Sequence, residues 1–277
     1  MMIFVYGTLL KGMSREPVLE RCRYHGPAMI EGELYDLGAY PGVLPGDGNV
    51  IGELYEVDDA TLHALDRIEG YEPGHPEASL YLRETVTARR FSDGESVEAR
   101  SYIYNHPIDP ARRIRHGDYR RHLLEQESES QWIIAYGSNM SSERVEERVG
   151  PVSGCITGHL DGYRLVFNKC ACTGTASYAN IRWCGESHTC PAVAWKLTPA
   201  QIAELDRCEG TPHHYLRIGL PFRDSDGKRR IVQAYIAHPG QLTGMEPEPW
   251  YVELIRKGYR EHGFDPTHLE HTGEATV

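Results

Sequence analysis

The chain repeats itself. An apolar strand running into Tyr-Gly, Phe4-Val5-Tyr6-Gly7-Thr8-Leu9, returns as Ile134-Ala135-Tyr136-Gly137-Ser138-Asn139. Leu65-Asp66-Arg67-Ile68-Glu69-Gly70 is echoed by Leu205-Asp206-Arg207-Cys208-Glu209-Gly210, an offset of 140 residues that holds without gaps from Asp58 to Gly70. Tyr81-Leu82-Arg83 is matched by Tyr215-Leu216-Arg217, and Ser101-Tyr102-Ile103-Tyr104 by Ala234-Tyr235-Ile236-Ala237. Echoes in one order at so long a period mean duplicated domains rather than a solenoid. The 277 residues are enough for two domains, each with its own core. The polar stretch Glu125 to Ser130 divides them, giving copies at 1–125 and 131–277, and from about Phe264 a polar tail is expected to be poorly ordered.

Within each copy short alternating segments predict strands, as in Gly52 to Val57, Arg83 to Ala88 and Val97 to Tyr104. One short helix precedes each acidic motif. Asp58 caps the first; Thr198, Pro199 and Gln201 form a capping box for the second. Leu62, Leu65 and Ile68 make an apolar stripe, as do Ile202, Leu205 and Cys208, and Gly70 or Gly210 ends each helix. A further helix runs from Trp250 to His262. The class is α+β with sheets dominating.

Net charge of −11 argues against nucleic-acid binding and would suit a cationic small ligand. No apolar run approaches the ~20 residues of a membrane helix, and the first residues read as a strand rather than a signal peptide, so a cytoplasmic protein is expected. Seven Cys without Cys-x-x-Cys spacing read as reduced, mostly packed thiols; Cys170, Cys172, Cys184, His188 and Cys190 have metal-binding side chains but no metal is expected. No phosphate-binding loop is present, since Gly7-x4-Gly12 is followed by Met13 where Lys is required.

Glu69 and Glu209 fall in the last turn of their helices, where the dipole disfavours an anion, and an Asp three residues earlier adds like charge. Both effects raise a carboxyl pKa toward the range of a general base. The Tyr-Gly turns, Tyr6 to Leu9 and Tyr136 to Asn139, can point consecutive N–H groups at one spot, a nest for a carboxylate or oxyanion.

These residues resemble the γ-glutamylcyclotransferase superfamily over nearly the whole chain. The first copy is similar to the branch of γ-glutamylamine cyclotransferases and avirulence-induced (AIG2-like) proteins through Val5 to Leu9, Leu37-Gly38-Ala39-Tyr40-Pro41-Gly42, Gly52 to Tyr55, Glu69-Gly70-Tyr71 and Tyr81-x-Arg83. The second is similar to the branch acting on γ-glutamyl amino acids through Tyr136 to Met140, Ala179-Asn180-Ile181, Asp206-x-x-Glu209-Gly210 and Tyr215-x-Arg217. The resemblance implies, for each copy, a small mixed β-barrel-like sheet with flanking helices. It implies a cofactor-free reaction in which the α-amine of a γ-glutamyl group attacks its own γ-carbonyl, releasing 5-oxoproline and an amine.

By position, Glu69 and Glu209 would move the proton. The backbone of Tyr6, Gly7, Thr8 and Leu9, and of Tyr136, Gly137, Ser138 and Asn139, would hold the α-carboxylate and oxyanion. Tyr81 and Tyr215 would line the pockets. The partner would be a γ-glutamyl amino acid, glutathione, a γ-glutamyl polyamine or isopeptide, or a γ-glutamyl-protected antibiotic intermediate such as that of an aminoglycoside. Two other readings stay open: one working copy beside a structural one, the first copy being favoured, and a non-catalytic γ-glutamyl-binding module. Oligomeric state is left open.

Overall fold

Apolar residues at every second position bury one face of each strand, and closing the sheet on itself leaves no unpaired edge. In the computed structural model, which describes residues 1–267 and 269, this happens twice. The chain divides into two compact units, Met1–His122 and Leu123–Val277.

The first unit contains β1 (Met2–Val5), β2 (Arg23–Asp36), β3 (Pro41–Glu56), β4 (Tyr81–Arg90) and β5 (Ser96–Tyr104), with α1 (Asp59–Ile68) after β3; α2 (Tyr119–Glu127) begins at its end. The strands close into a barrel in the order β1-β3-β2-β4-β5, antiparallel except where Ile3 of β1 meets Arg100 of β5. Phe4, Leu54, Ala88 and Val50 lie fully inside.

The second unit contains β6 (Gln131–Ala135), α3 (Ser142–Val149), β7 (Cys155–Asp161), β8 (Tyr163–Cys170), β9 (Ser177–Trp183), β10 (Thr189–Leu197), α4 (Pro199–Glu209), β11 (Tyr215–Asp224), β12 (Arg229–Ala237) and α5 (Pro249–Glu261). Its barrel runs β10-β6-β12-β11-β7, with Ile134 of β6 parallel to Ala234 of β12. The first unit's long β2/β3 ribbon has its distal part recreated here as a separate two-stranded sheet, β8 and β9. The tandem duplication and the α+β barrel architecture expected from the sequence are what the fold shows.

The helix signals act as read. Asp58 accepts the Thr61 N–H at 2.8 Å, and Thr198 with Gln201 forms the capping box. Gly70 and Gly210 take the left-handed conformation, φ 61° and 64°, that stops each helix. Four expectations need correction. The stretch after Glu125 is not all linker, because α2 continues to Glu127 and Glu125 pairs with Arg217 at 2.9 Å. Cys208 is exposed, not part of the apolar face: at 100° per residue, Glu209 rather than Cys208 returns to the side of Ile202. Only Cys190 of the seven cysteines is buried. The expected tail from Phe264 begins docked, with the Phe264 ring against Tyr259 and His159; the rest of it, except Leu269, lies outside the described residues after Thr267.

Candidate active sites

The same helical arithmetic that exposes Cys208 brings the glutamates inward. Seven residues is close to two turns, so Glu69 shares a face with Leu62 and Glu209 with Ile202, both core residues. Each glutamate thus lines a cavity under one end of its barrel, facing the turn that follows the barrel's first strand.

In the first unit Glu69 shares its cavity with Tyr6, Gly7, Thr8, Leu9 and Tyr81. In the second, Glu209 shares one with Tyr136, Gly137, Ser138, Asn139 and Tyr215. The turns match: Gly7 C=O accepts from Leu10 N–H at 3.1 Å, Gly137 C=O from Met140 N–H at 3.0 Å. The N–H groups of Thr8, Leu9, Ser138 and Asn139 make no hydrogen bond among the described residues. Each turn therefore holds consecutive unused donors beside a carboxyl group.

The glycines are required by close approach. A Cβ on Gly7 would sit 2.8 Å from Pro41 Cγ, and one on Gly137 3.0 Å from Ala179 Cβ. Pro41 and Ala179 correspond in a second way, since the Tyr81 hydroxyl donates to the Pro41 carbonyl and the Tyr215 hydroxyl to that of Ala179, both at 2.7 Å. Burial pushes both phenol pKa values up, so both remain hydroxyl donors.

Behind each glutamate lies a duplicated scaffold. Tyr102 donates to Asp66 at 2.8 Å and Tyr235 to Asp206 at 2.7 Å, while Arg83 and Arg217 each bind both oxygens of their aspartate. The aspartates were expected to repel the glutamates; their charge is instead spent on arginine. The first unit adds a buried pair. Arg120 donates to Glu53 at 2.7 Å and to the Lys11 carbonyl at 3.0 Å, and Glu53 accepts the Lys11 N–H at 2.8 Å, which ties down the loop after Tyr6–Leu9.

The two glutamates are not equivalent. The Glu69 carboxyl makes no ion pair or hydrogen bond among the described residues, and burial raises its pKa to about 7, opposed by the charge of Arg15. Desolvation, rather than the helix end or Asp66, is thus the cause. Glu209 accepts from Arg148 at 2.7 Å and from Asn139 Nδ2 at 2.9 Å.

The cavities differ too. The second measures about 420 Å³ and the first about 30 Å³. Where Pro41 fills the wall of the first, the methyl of Ala179 leaves room in the second. Lys169 and Tyr178 from the β8/β9 sheet, Arg144 and Arg148 from α3 and Trp250 and Tyr251 from α5 also line it. Sequence reasoning missed Arg15, Arg148 and Lys169; none belongs to the repeated pattern.

Among the described residues, no helix is long and apolar enough to cross a membrane, and no group of three or more His, Cys, Asp and Glu is placed to hold a metal.

The family model described as gamma-glutamyl cyclotransferase, AIG2-like, matches residues 3–121 and again 133–252. The gamma-glutamylcyclotransferase family protein YtfP of Escherichia coli K12 is 34% identical over 120 residues, which are 43% of this chain and 96% of that protein. A gamma-L-glutamyl-butirosin B gamma-glutamyl cyclotransferase of Niallia circulans is 31% identical over 128 residues, 46% of this chain and 80% of the relative. The crystal structure of YkqA from Bacillus subtilis shares the fold end to end, with a TM-score of 0.72 at 22% identity, covering 99% of this chain and 97% of that one. With both halves matched, the chain belongs to the gamma-glutamyl cyclotransferase, AIG2-like family.

Proposed function

We propose that this chain is a cofactor-free γ-glutamylcyclotransferase with a catalytic glutamate in each copy, Glu69 and Glu209. The observation that carries the reading is the repeated pairing of a helix-end glutamate with a turn of unused N–H donors in one cavity. The substrate's α-ammonium gives a proton to the glutamate, and the freed amine nitrogen attacks the γ-carbonyl carbon. The new C–N bond closes the five-membered ring while the turn's N–H groups stabilise the oxyanion. The tetrahedral centre then collapses, the original amide C–N bond breaks, and the glutamate returns its proton to the departing nitrogen; the ring nitrogen gives up its second proton to the released amine, leaving a neutral lactam and an ammonium ion. The products are 5-oxoproline and a free amine; no water is consumed. Because nucleophile and electrophile are tethered, orientation supplies much of the rate, with effective molarities of ~10⁵ M or more for such closures.

Two features divide the work between the copies. The buried position of Glu69, unpaired by any salt bridge among the described residues and with a pKa of about 7, suits a base poised at neutral pH. The roomier cavity of Glu209 suits a substrate with a bulky leaving half. Cavity size thus favours the second copy as the one that turns over large amides, the reverse of the preference drawn from sequence. The butirosin-directed relative supports including an aminoglycoside amide among the candidates.

The deciding experiment measures 5-oxoproline release from γ-glutamyl amides of amino acids, a tripeptide, a polyamine and an aminoglycoside. Wild type, Glu69→Gln, Glu209→Gln and the double variant are compared. Release that survives one substitution but is abolished by both assigns a base to each copy. Absence of release from every amide by wild type would overturn the reading.

A further inference from the structure

The second cavity carries the opposite sign from the chain as a whole. Four cations line it, Arg144, Arg148, Lys169 and Arg207, against the single carboxylate of Glu209. Two of them are matched within the fold, Arg148 by Glu209 and Arg207 by Glu204. Lys169 and Arg144 are not. Lys169 is 2% exposed, and its ammonium makes no hydrogen bond or ion pair among the described residues; it has only the faces of Tyr178 and Tyr215, at 5.7 and 5.3 Å. Arg144 likewise has no ion pair there, and its buried Nε has no hydrogen-bond partner.

Burying a cation without a counter-ion is costly, and the aromatic faces offset only part of the cost. Desolvation accordingly lowers the Lys169 pKa. The placement of Lys169 is also built: it follows a register shift in the β8/β9 ladder between Phe167 and Lys169, the kind of irregularity that re-aims a side chain. The first cavity has no such residue, Arg15 being its one lining cation.

Charge balance then states what is missing. A γ-glutamyl headgroup brings one ammonium and one carboxylate, net zero, and the proposed turn donors serve that carboxylate. Two unmatched cations remain. Building on the cyclotransferase reading, we propose that the second cavity selects γ-glutamyl compounds whose departing amine is itself an acidic amino acid, with Lys169 and Arg144 as counter-ions to its two carboxylates. Polyamine and aminoglycoside amides, cationic in their leaving half, are disfavoured in this copy on charge, whatever room it offers them.

The test uses the full chain carrying Glu69→Gln, so that the second copy alone turns over. γ-Glutamylglutamate, γ-glutamylalanine and a γ-glutamyl polyamine are compared by 5-oxoproline release. A charge-assisted contact accounts for about ten- to a hundredfold in kcat/KM. The expected order is therefore glutamate above alanine by at least about tenfold, with the polyamine last. Lys169→Met, close in volume, and independently Arg144→Met shrink the glutamate-to-alanine ratio by about tenfold. Equal or faster release from γ-glutamylalanine, or a ratio untouched by both substitutions, overturns the selectivity while leaving the cyclotransferase reading intact. Should nothing be released from any substrate by this variant or by wild type, that reading fails; if wild type alone is active, only catalysis by the second copy fails, and in either case titration calorimetry on the wild-type chain decides the subsite. Tighter binding of γ-glutamylglutamate than of γ-glutamylalanine, weakened by Lys169→Met, sustains it; equal binding overturns it.

Discussion

Arg148 Nη1 lies 2.7 Å from Glu209 Oε1, with the two side chains 21% and 14% exposed. The first copy has no such pair: Arg15 lines the cavity of Glu69 without bonding it. A partly buried pair of this kind gives little net stability when intact, but removing one partner strands the other. Arg148→Met should therefore destabilise the second unit by about 2 kcal/mol. Adding Glu209→Gln to Arg148→Met should recover part of that loss, and a double-mutant cycle in urea would measure the coupling. A cycle with no coupling would show that the pair carries no stability.

Glu69 leads to a pH dependence of the opposite kind. Its folded-state pKa of about 7 lies above the unfolded reference, so its carboxyl favours the fold fully only below the unfolded value of about 4.3. That contribution is lost as pH rises through about 7, where the buried group must ionise. Glu69→Gln stays neutral throughout. It should stabilise the first unit by about 2–3 kcal/mol at pH 8, with the gain shrinking at pH 5. Thermal unfolding of both proteins at the two pH values checks this, and a gain independent of pH would argue against a desolvated carboxyl.

How much of this was legible in the sequence follows from which forces are local. Caps at Asp58 and Thr198 and the terminating glycines act within a few residues, and the Tyr-Gly and Asp-Arg-x-Glu-Gly echoes announced two barrels with an inward glutamate each. The electrostatics were not local. The like charge expected from Asp66 and Asp206 is absorbed by Arg83 and Arg217, residues that arrive from another strand. Arg148 and Lys169 reach Glu209's cavity from α3 and β8, elements with no echo in the first copy's motifs. The size difference turns on Pro41 against Ala179, a pairing visible only once the Tyr81 and Tyr215 hydrogen bonds align them.

The glycines of the two turns should respond unequally. Gly7→Ala drives a methyl to 2.8 and 2.9 Å from the Pro41 ring, a rigid neighbour. Gly137→Ala meets Ala179 Cβ at 3.0 Å and the Tyr251 hydroxyl at 3.5 Å, where small shifts suffice. Overpacking of the first kind costs about 1–3 kcal/mol, and the second should cost less. Melting temperatures of the two variants give the ranking; a more damaging Gly137→Ala would contradict the roles assigned to Pro41 and Ala179.

Arg217 should be the costlier of the two scaffold arginines. Its side chain is 6% exposed and donates to Asp206 at 2.9 and 3.0 Å, to Glu125 at 2.9 Å and to Gln233. Arg83 is 22% exposed and pairs with Asp66 alone, lying over the Tyr71 ring. Removing Arg217 takes the bidentate counter-ion from Asp206 and breaks the contacts with Glu125 and Gln233, so Arg217→Met should cost about 3–5 kcal/mol. Arg83→Met, which removes a more exposed side chain that pairs with one carboxylate only, should cost less, about 1–2 kcal/mol. Arg217→Lys should not rescue, because an ammonium cannot fork across both Asp206 oxygens while reaching Glu125. Since Asp206 also fixes the Tyr235 hydroxyl one turn before Glu209, the loss should extend to 5-oxoproline release by the second copy. Urea unfolding of the three variants, with release measured on each below its transition, tests both halves; equal costs for Arg83 and Arg217 would show that the extra partners contribute nothing.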